Sequence, residues 1–489
     1  MKNVKSDIVR IRYSLSLMIL AAVLLGWMFL PKDDSIVAKF GKNQITLGEF
    51  KIAYQQLIKS PNVFDSKQLR ENFLDQLIQW RLLSDEAKKK GFDKNELLAY
   101  KINSFRDKCL RDAHFEKVIR PKIQVEEKDV EEAYLYTQEE RRISHLFTPR
   151  KSMADSLYSM LQKGASFDSL AKICFNDTAL ANHGGDLGWL GWDQFEYDLA
   201  MTAFRQPVNK FSAPIKSSYG YHILKVTDFR KRPMITRQEY ELHRRKAKYL
   251  LEYKIGDKLA YEYIDKMIKN DRIKIYPQII SVIEQKLADK FKRKPGQYNQ
   301  MFEVQLKDEE IKTIETNLWD ERKTVMAVIN GKNLTIGDFI GYLSFVPYQI
   351  FSNGMKQTLN CVIRDYLITQ EAKQMGLINT KRVKLKTKVY SENLLQLELR
   401  KMLVHGVKVS EGELKQYYED HKAKYKDESF ELVHDYLKDF ITSEKQRNIV
   451  PDYVNKLKEH LKIEKNLEVI HRYYDSIINK EDLSRTNVH

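Results

Sequence analysis

At 489 residues the chain is longer than one hydrophobic core usually serves, and a hydrophobic content of 43% suffices for two to four domains. Charged residues make up 31% and the formal net charge is +16. Lys and Arg alternate with Glu and Asp nearly everywhere, as in "EAKKKGFDKNE", instead of gathering into the patch or arm of a nucleic-acid binder. The three widely spaced cysteines, Cys109, Cys174 and Cys361, offer neither a disulfide framework nor a metal-ligand cluster.

Lys2, Lys5, Arg10 and Arg12 precede the uncharged apolar run Ser14 to Leu30, which Pro31 and "KDD" end. This is the pattern of an export signal or an anchor. As a helix rising about 1.5 Å per residue, the run falls just short of the ~30 Å hydrocarbon core. The bulky "GWMFLP" offers no small-x-small cleavage site. We read residues 1–34 as an uncleaved signal-anchor, a transmembrane helix with its basic end in the cytoplasm. A cleaved signal peptide is the alternative, and either way everything after Lys32 lies outside the cytoplasmic membrane.

Past the anchor, "IVAKFGKNQITLGEF" gives a short strand, a Gly-Lys-Asn turn and Thr46 placed to cap a helix from Leu47. Leu69, Phe73, Leu74, Leu77, Ile78 and Leu82 then fall at helix-face spacings until Gly91. A further helix runs from about Asp93 to Val118, Pro121 breaks it, and "VEEKDVEEAYLY" begins another. These motifs recur in order: "VMAVINGKNLTIGDF", "VIRDYLITQEAKQMG" and "VSEGELKQYYED" repeat the hairpin with its cap, the amphipathic helix and the next helix start. We read this as a duplication.

Between the copies, Glu140 to about Arg232 has a different character. Its order is strand, helix, helix, glycine-rich loop, helix, strand, which suggests a small α+β domain. "HGGDLGWLGWDQF" concentrates four glycines and three aromatics in a chain that has only 19 glycines. The second copy is followed by helical sequence without such a loop, so one insert-type site is to be sought. No GxSxG elbow, HExxH, Walker loop or GxGxxG before a helix occurs, and neither metal nor cofactor is expected.

"ISHLF", "FDSLAKICFNDTALANHGGDLGWL" and "APIKSSYGYHILKV" lie in the order of the parvulin-type peptidyl-prolyl isomerases, and Arg141 to Asp228 resembles that family throughout. The resemblance implies that His145 and His222 face each other on adjacent central strands beneath the substrate proline. It also implies a third polar group at Asp177, with Thr178 as the other alignment, and a hydroxyl at Ser217 completing the network. The proline cup would be Leu187, Phe195, Leu199 and Phe204. Phe195 stands where methionine is usual and Leu199 where phenylalanine is common, departures that bear on turnover and peptide preference.

An isomerase domain between helical segments behind an export signal resembles the SurA and PpiD class of periplasmic folding factors. The expected organisation is multidomain: an α+β parvulin domain (140–232) inserted between mainly α-helical chaperone modules. Those are an N-terminal module (35–139), a helical segment packing on it (233–323), a second repeat without catalytic insert (324–425) and a C-terminal helical region (426–489). The resemblance implies unfolded or proline-containing polypeptides as partners, exported and outer-membrane proteins among them, and no nucleic acid. Two functions stand open: an active isomerase and chaperone, or a chaperone whose parvulin domain only holds peptide.

Overall fold

The computed structural model describes residues 31–60, 63–232, 236–270, 272–288, 306, 308–352, 354–425 and 428–486. The apolar run of the expected anchor lies outside them, and no described helix is long and apolar enough to cross a membrane.

The first hairpin, β1 (Ile36–Phe40) and β2 (Asn43–Thr46), leads into α1 (Leu47–Leu57), α2 (Lys67–Lys89), α3 (Glu96–Val118) and α4 (Glu127–Tyr136). The α+β segment follows: β3 (Glu139–Thr148), α5 (Lys151–Gln162), α6 (Phe167–Cys174), α7 (Thr178–Asn182), β4 (Asp186–Gly191), α8 (Tyr197–Arg205), β5 (Ile215–Lys216) and β6 (Tyr221–Lys231). Next come the long α9 (Arg237–Asn270), β7 (Ile273–Ile275), α10 (Pro277–Ala288) and α11 (Asp308–Leu318). A second hairpin, β8 (Val325–Ile329) and β9 (Lys332–Thr335), leads into α12 (Ile336–Leu343), α13 (Tyr348–Ser352), α14 (Met355–Gln374) and α15 (Lys381–His405). The chain closes with α16 (Glu411–His421), α17 (Phe430–Lys458), β10 (Ile463–Lys465) and α18 (Leu467–Thr486). The protein is thus multidomain and mainly helical, with one small four-stranded α+β domain.

Two compact units divide the chain, one drawn from residues 1–110 and 373–489, the other from 111–372. In the first, β1 pairs with β2 and, on its other edge, with β10, where Phe40 faces Ile463. In the second, β8 pairs with β9 and with β7, where Ile329 faces Ile273. Each hairpin therefore gains a third strand that follows a long helix. The local chemistry of the two hairpins matches. Thr46 and Glu49 form a reciprocal cap, with Thr46 N donating to Glu49 at 2.7 Å, and Thr335 N donates to Asp338 at 2.9 Å in the same way. Such caps satisfy amides that the first helical turn leaves unpaired. In the second hairpin Asn330 and Gly331 both have positive φ (51° and 79°), the twist that a two-residue turn between right-twisted strands demands.

In the first unit, Phe40, Ile45, Phe50 and Tyr54 pack on Phe73, Leu74, Leu77 and Ile78 of α2 and on Ile470 and Tyr474 of α18. The α2 residues are those its apolar spacing selected, with Leu69 at the margin and only partly buried. Each fully buried side chain of this size contributes roughly 1.5–3 kcal/mol.

Two helix pairs also correspond. On α4 and α9, Tyr134 meets Tyr240 with ring centroids 5.4 Å apart, and Arg244 Nε donates to Glu127 at 2.6 Å. On α16 and α17, Tyr418 meets Phe430 at 5.5 Å, and His434 Nε2 pairs with Glu411 at 3.1 Å. The α+β domain lies between α4 and α9 in sequence, whereas eight residues join α16 to α17.

The glycine-rich stretch differs from its expected loop form. Asp186 to Gly191 is strand β4, paired antiparallel with β3 at the edge of the sheet β4-β3-β6-β5. A glycine count argues for a loop, but Leu190 and Trp189 find backbone partners in Arg141 and Arg142.

Candidate functional site

Strands β3 and β6 form the centre of the sheet. His145 is the cross-strand partner of Leu224 and Phe147 that of His222, so both imidazoles stand on one face. The opposite face, through Leu146 and Ile223, packs on Leu157 and Leu161 of α5 and Leu170 of α6. The histidine face is shared with Leu199, Ala200, Ala203 and Phe204 of α8. Alternation along the strands thus gives each face a core and sets the imidazoles beside the second one.

The imidazole rings lie 5.8 Å apart at 30°. Phe175 stacks on His145 at 5.0 Å, and Phe147 tilts against His222 at 5.0 Å. Burial lowers both imidazoles to about 4, His222 adding to the effect on His145, so both are neutral at pH 7. His145 Nε2 is buried without a hydrogen-bond partner among the described residues. A buried polar atom left so costs roughly 1–3 kcal/mol.

Ser217 is buried and its Oγ lies 2.8 Å from His222 Nε2. That oxygen already accepts from Tyr219 N at 3.1 Å and Gly220 N at 3.3 Å. Its proton is therefore directed to His222, nearer than the Gly220 carbonyl at 3.4 Å. This arrangement favours the tautomer of His222 whose proton is on Nδ1.

Gly185 answers for the paired glycines. It has φ 71°, its carbonyl accepts from His145 N at 2.9 Å, and a Cβ there would meet the His145 carbonyl oxygen at 2.1 Å. The close approach is to the histidine strand itself.

The structure brings Ser217, His145 and His222 together and does not bring Asp177 to them. The Asp177 carboxylate accepts from Ala179 N at 2.8 Å and Leu180 N at 3.1 Å, capping α7, and is exposed. Asp is a preferred N-cap, and a five-residue helix placed there claims it. Thr178, the alternative, is exposed as the first residue of α7. Among the cup residues, Phe204 and Leu199 are buried and Phe195 is partly buried in the same cluster as Trp192, while Leu187 stands 36% exposed on β4. Phe147 and Phe175 were not singled out in the sequence. The "ISHLF" alternation places Phe147 on the face of His145, whereas nothing local marks Phe175.

A four-stranded sheet with two neutral imidazoles and a hydroxyl on one face is the arrangement of a parvulin domain. Residues 124–230 match the PPIC-type PPIase domain, and residues 1–131 match the SurA-like N-terminal domain. The foldase protein PrsA of Caldanaerobacter subterraneus is 31% identical over 229 residues, covering 44% of this chain and 73% of the relative. PrsA of Geobacillus kaustophilus is 32% identical over 164 residues (33% and 57%), and that of Bacillus subtilis 28% over 264 residues (50% and 83%). The chain belongs to the family of PrsA-type foldases, and carries the PPIC-type PPIase domain.

Proposed function

We propose that the chain is an active peptidyl-prolyl isomerase and chaperone for exported proteins, its isomerase centre formed by His145, His222 and Ser217. The observation that carries this reading is the hydrogen-bonded Ser217–His222 pair facing His145 on adjacent strands.

Rotating a peptide bond costs ~18–20 kcal/mol because resonance is lost, so a catalyst need only bind the twisted amide better than the planar one. Leu187, Phe195, Leu199 and Phe204 would hold the pyrrolidine ring and exclude water, which disfavours the charge-separated planar form. The neutral imidazoles would organise the floor of the site. His145 Nε2, without a hydrogen-bond partner among the described residues, is the atom we assign to the bound amide.

A second reading, in which the domain holds peptide without turnover, draws on the cap role of Asp177 and the exposure of Leu187. A proline-limited refolding assay with the full chain separates the two. Acceleration at micromolar protein supports the first reading, and binding of an Ala-Pro peptide without acceleration supports the second.

For the remaining organisation we infer two copies of one module, the first interrupted by the isomerase domain (140–232). In sequence the copies would span 35–139 with 233–323, and 324–425 with 426–489, and in the fold they exchange partners, β10 completing the first hairpin and β7 the second. Support comes from contacts that recur at matched positions. Asn43 donates to Asp85 as Lys332 does to Gln370, and Tyr263 bonds Glu371 as Tyr453 bonds Glu86. Phe105 and Tyr390, each 14 residues past a left-handed glycine (Gly91 and Gly376), stack on each other at 3.9 Å. We place the protein outside the cytoplasmic membrane, in the periplasm where one exists, held by residues 14–30 or released after cleavage. N-terminal sequencing of membrane and soluble fractions decides between these. The clients would be unfolded exported polypeptides, outer-membrane proteins among them.

A further inference from the structure

Helix α9 belongs to the segment after the isomerase domain, yet it holds that domain's site from both sides. Lys254 is 5% exposed, and its ammonium donates to the backbone carbonyls of Phe195 and of Asp193, the latter at 3.3 Å. It also lies over the Trp192 ring, 5.0 Å from the centroid. One turn later Lys258 pairs with Asp198 at 2.7 Å, next to Leu199. Further along, Asp265 pairs with Lys216 at 3.0 Å, next to Ser217. The two sides also meet directly, since Ser218 N donates to Glu196 at 3.0 Å.

We propose that Lys254 is a positioning residue of the isomerase site, fixing the 193–198 segment so that Phe195 and Leu199 stand at a set distance from Ser217 and His222. The proposal rests on the isomerase reading of that site.

Two observations set it apart from simple packing. A buried ammonium whose hydrogen bonds go to neutral carbonyls is unfavourable unless it does something an apolar side chain cannot. Its neighbour on the same helix, Leu251, fills the adjoining core without charge. Helix α17, which has no isomerase domain to hold, provides the comparison. Counting back from the strand that follows each helix, Lys254, Lys258 and Asp265 of α9 correspond to Glu444, Asn448 and Asn455 of α17. All three gripping side chains are present only where there is a site to grip.

The ammonium also gives the grip a pH limit. Burial pushes Lys254 down to about 8, against the opposing fields of Asp193, Asp257 and Glu196. Above that value the cation is lost, and the carbonyls of residues 193 and 195 lose a charged donor for a weaker neutral one.

The test compares full-length wild type with Lys254→Met and Lys254→Arg in a proline-peptide isomerisation assay. Thermal unfolding of each variant serves as the fold control. In Lys254→Met, kcat/KM should fall about tenfold, mainly through KM, with an unfolding temperature equal to or above wild type. Lys254→Arg should recover most of that loss and abolish the fall in kcat/KM that wild type should display above pH 8. A Lys254→Met chain equal to wild type in kcat/KM and pH profile overturns the proposal, as does a Lys254→Arg chain no better than Lys254→Met. Should wild type not accelerate isomerisation at all, the isomerase reading fails separately. Binding of the same peptide then decides: a tenfold weaker Kd in Lys254→Met supports positioning, and an unchanged Kd overturns it.

Discussion

Helix α9 meets α4 with a whole domain carried between them in the chain, and α17 meets α16 across a short connection, yet the two pairs use the same contacts. Tyr240, Arg244, Ala247 and Leu251 stand as far before β7 as Phe430, His434, Leu437 and Ile441 stand before β10. In the second pair Leu437 and Ile441 close directly on Leu414 and Tyr418. In the first, Ala247 and Leu251 share a cluster with Val130 and Tyr134 and also with Trp192, Leu199 and Phe204 of the isomerase domain. Ala247 stands in the first pair where Leu437 stands in the second, and its cluster is the one that includes isomerase side chains. The helix pair is thus a clasp that closes with or without cargo, and the cargo is held by substitutions on one helix.

The sharpest way to break this comparison is to remove the cargo. Replacing residues 138–232 by residues 422–429 should abolish isomerase activity entirely while suppression of client aggregation, read by light scattering, persists. Loss of both in a chain of unchanged helicity would refute the independence of the clasps.

Core truncations come next. Trp192→Ala should cost about 3–5 kcal/mol and Leu437→Ala about 2–5 kcal/mol, both sites being fully buried. Only the first should lower the isomerisation rate, and denaturant unfolding of each variant beside its rate checks this.

Acid should separate the two regions further. His145 and His222 sit at about 4 in the folded site against 6.5 unfolded. Between those values the unfolded chain takes up protons that the site refuses, so isomerase-domain stability should fall from pH 6.5 towards 4, by up to about 3 kcal/mol per imidazole. His434 of the second clasp is shifted the other way, raised by Asp435 and Glu411. Its pairing is fully present below pH 6.5 and fades as pH rises through its raised value. Hydrogen exchange across this range should loosen β3 and β6 before α16 and α17.

Ser217→Ala should lower kcat/KM about tenfold by removing the hydrogen bond that orients His222, leaving the second clasp unaffected. The smallest expected effect is that of the two caps. Thr46→Ala and Thr335→Ala should each cost about 1 kcal/mol, alike because the reciprocal bonds are alike. Unequal losses would argue against equivalent modules.

Much of the site could be read in advance because it is written in short-range pattern. "ISHLF" and "GYHILKV" place His145 and His222 through alternation, and the offsets from Leu187 lead to Phe204, which the structure buries beside Leu199. At Asp177 two physical demands meet at one residue. A carboxylate suited to a polar site is also suited to a helix N-terminus, and here Oδ1 accepts from the backbone amides of Ala179 and Leu180.

The sequence alone determined the amphipathic α2, the capped hairpins, their recurrence and the parvulin character of the insert, since these depend on residues within a few positions of one another. Only the tertiary structure decided that β10 completes β1, that β7 completes β8, and that Lys254 reaches the carbonyl of Phe195. A three-residue strand and a single lysine carry almost no local signal. What selects them is the unpaired edge or carbonyl they meet, brought near by folding from 59 residues away for Lys254 and from some 420 for β10.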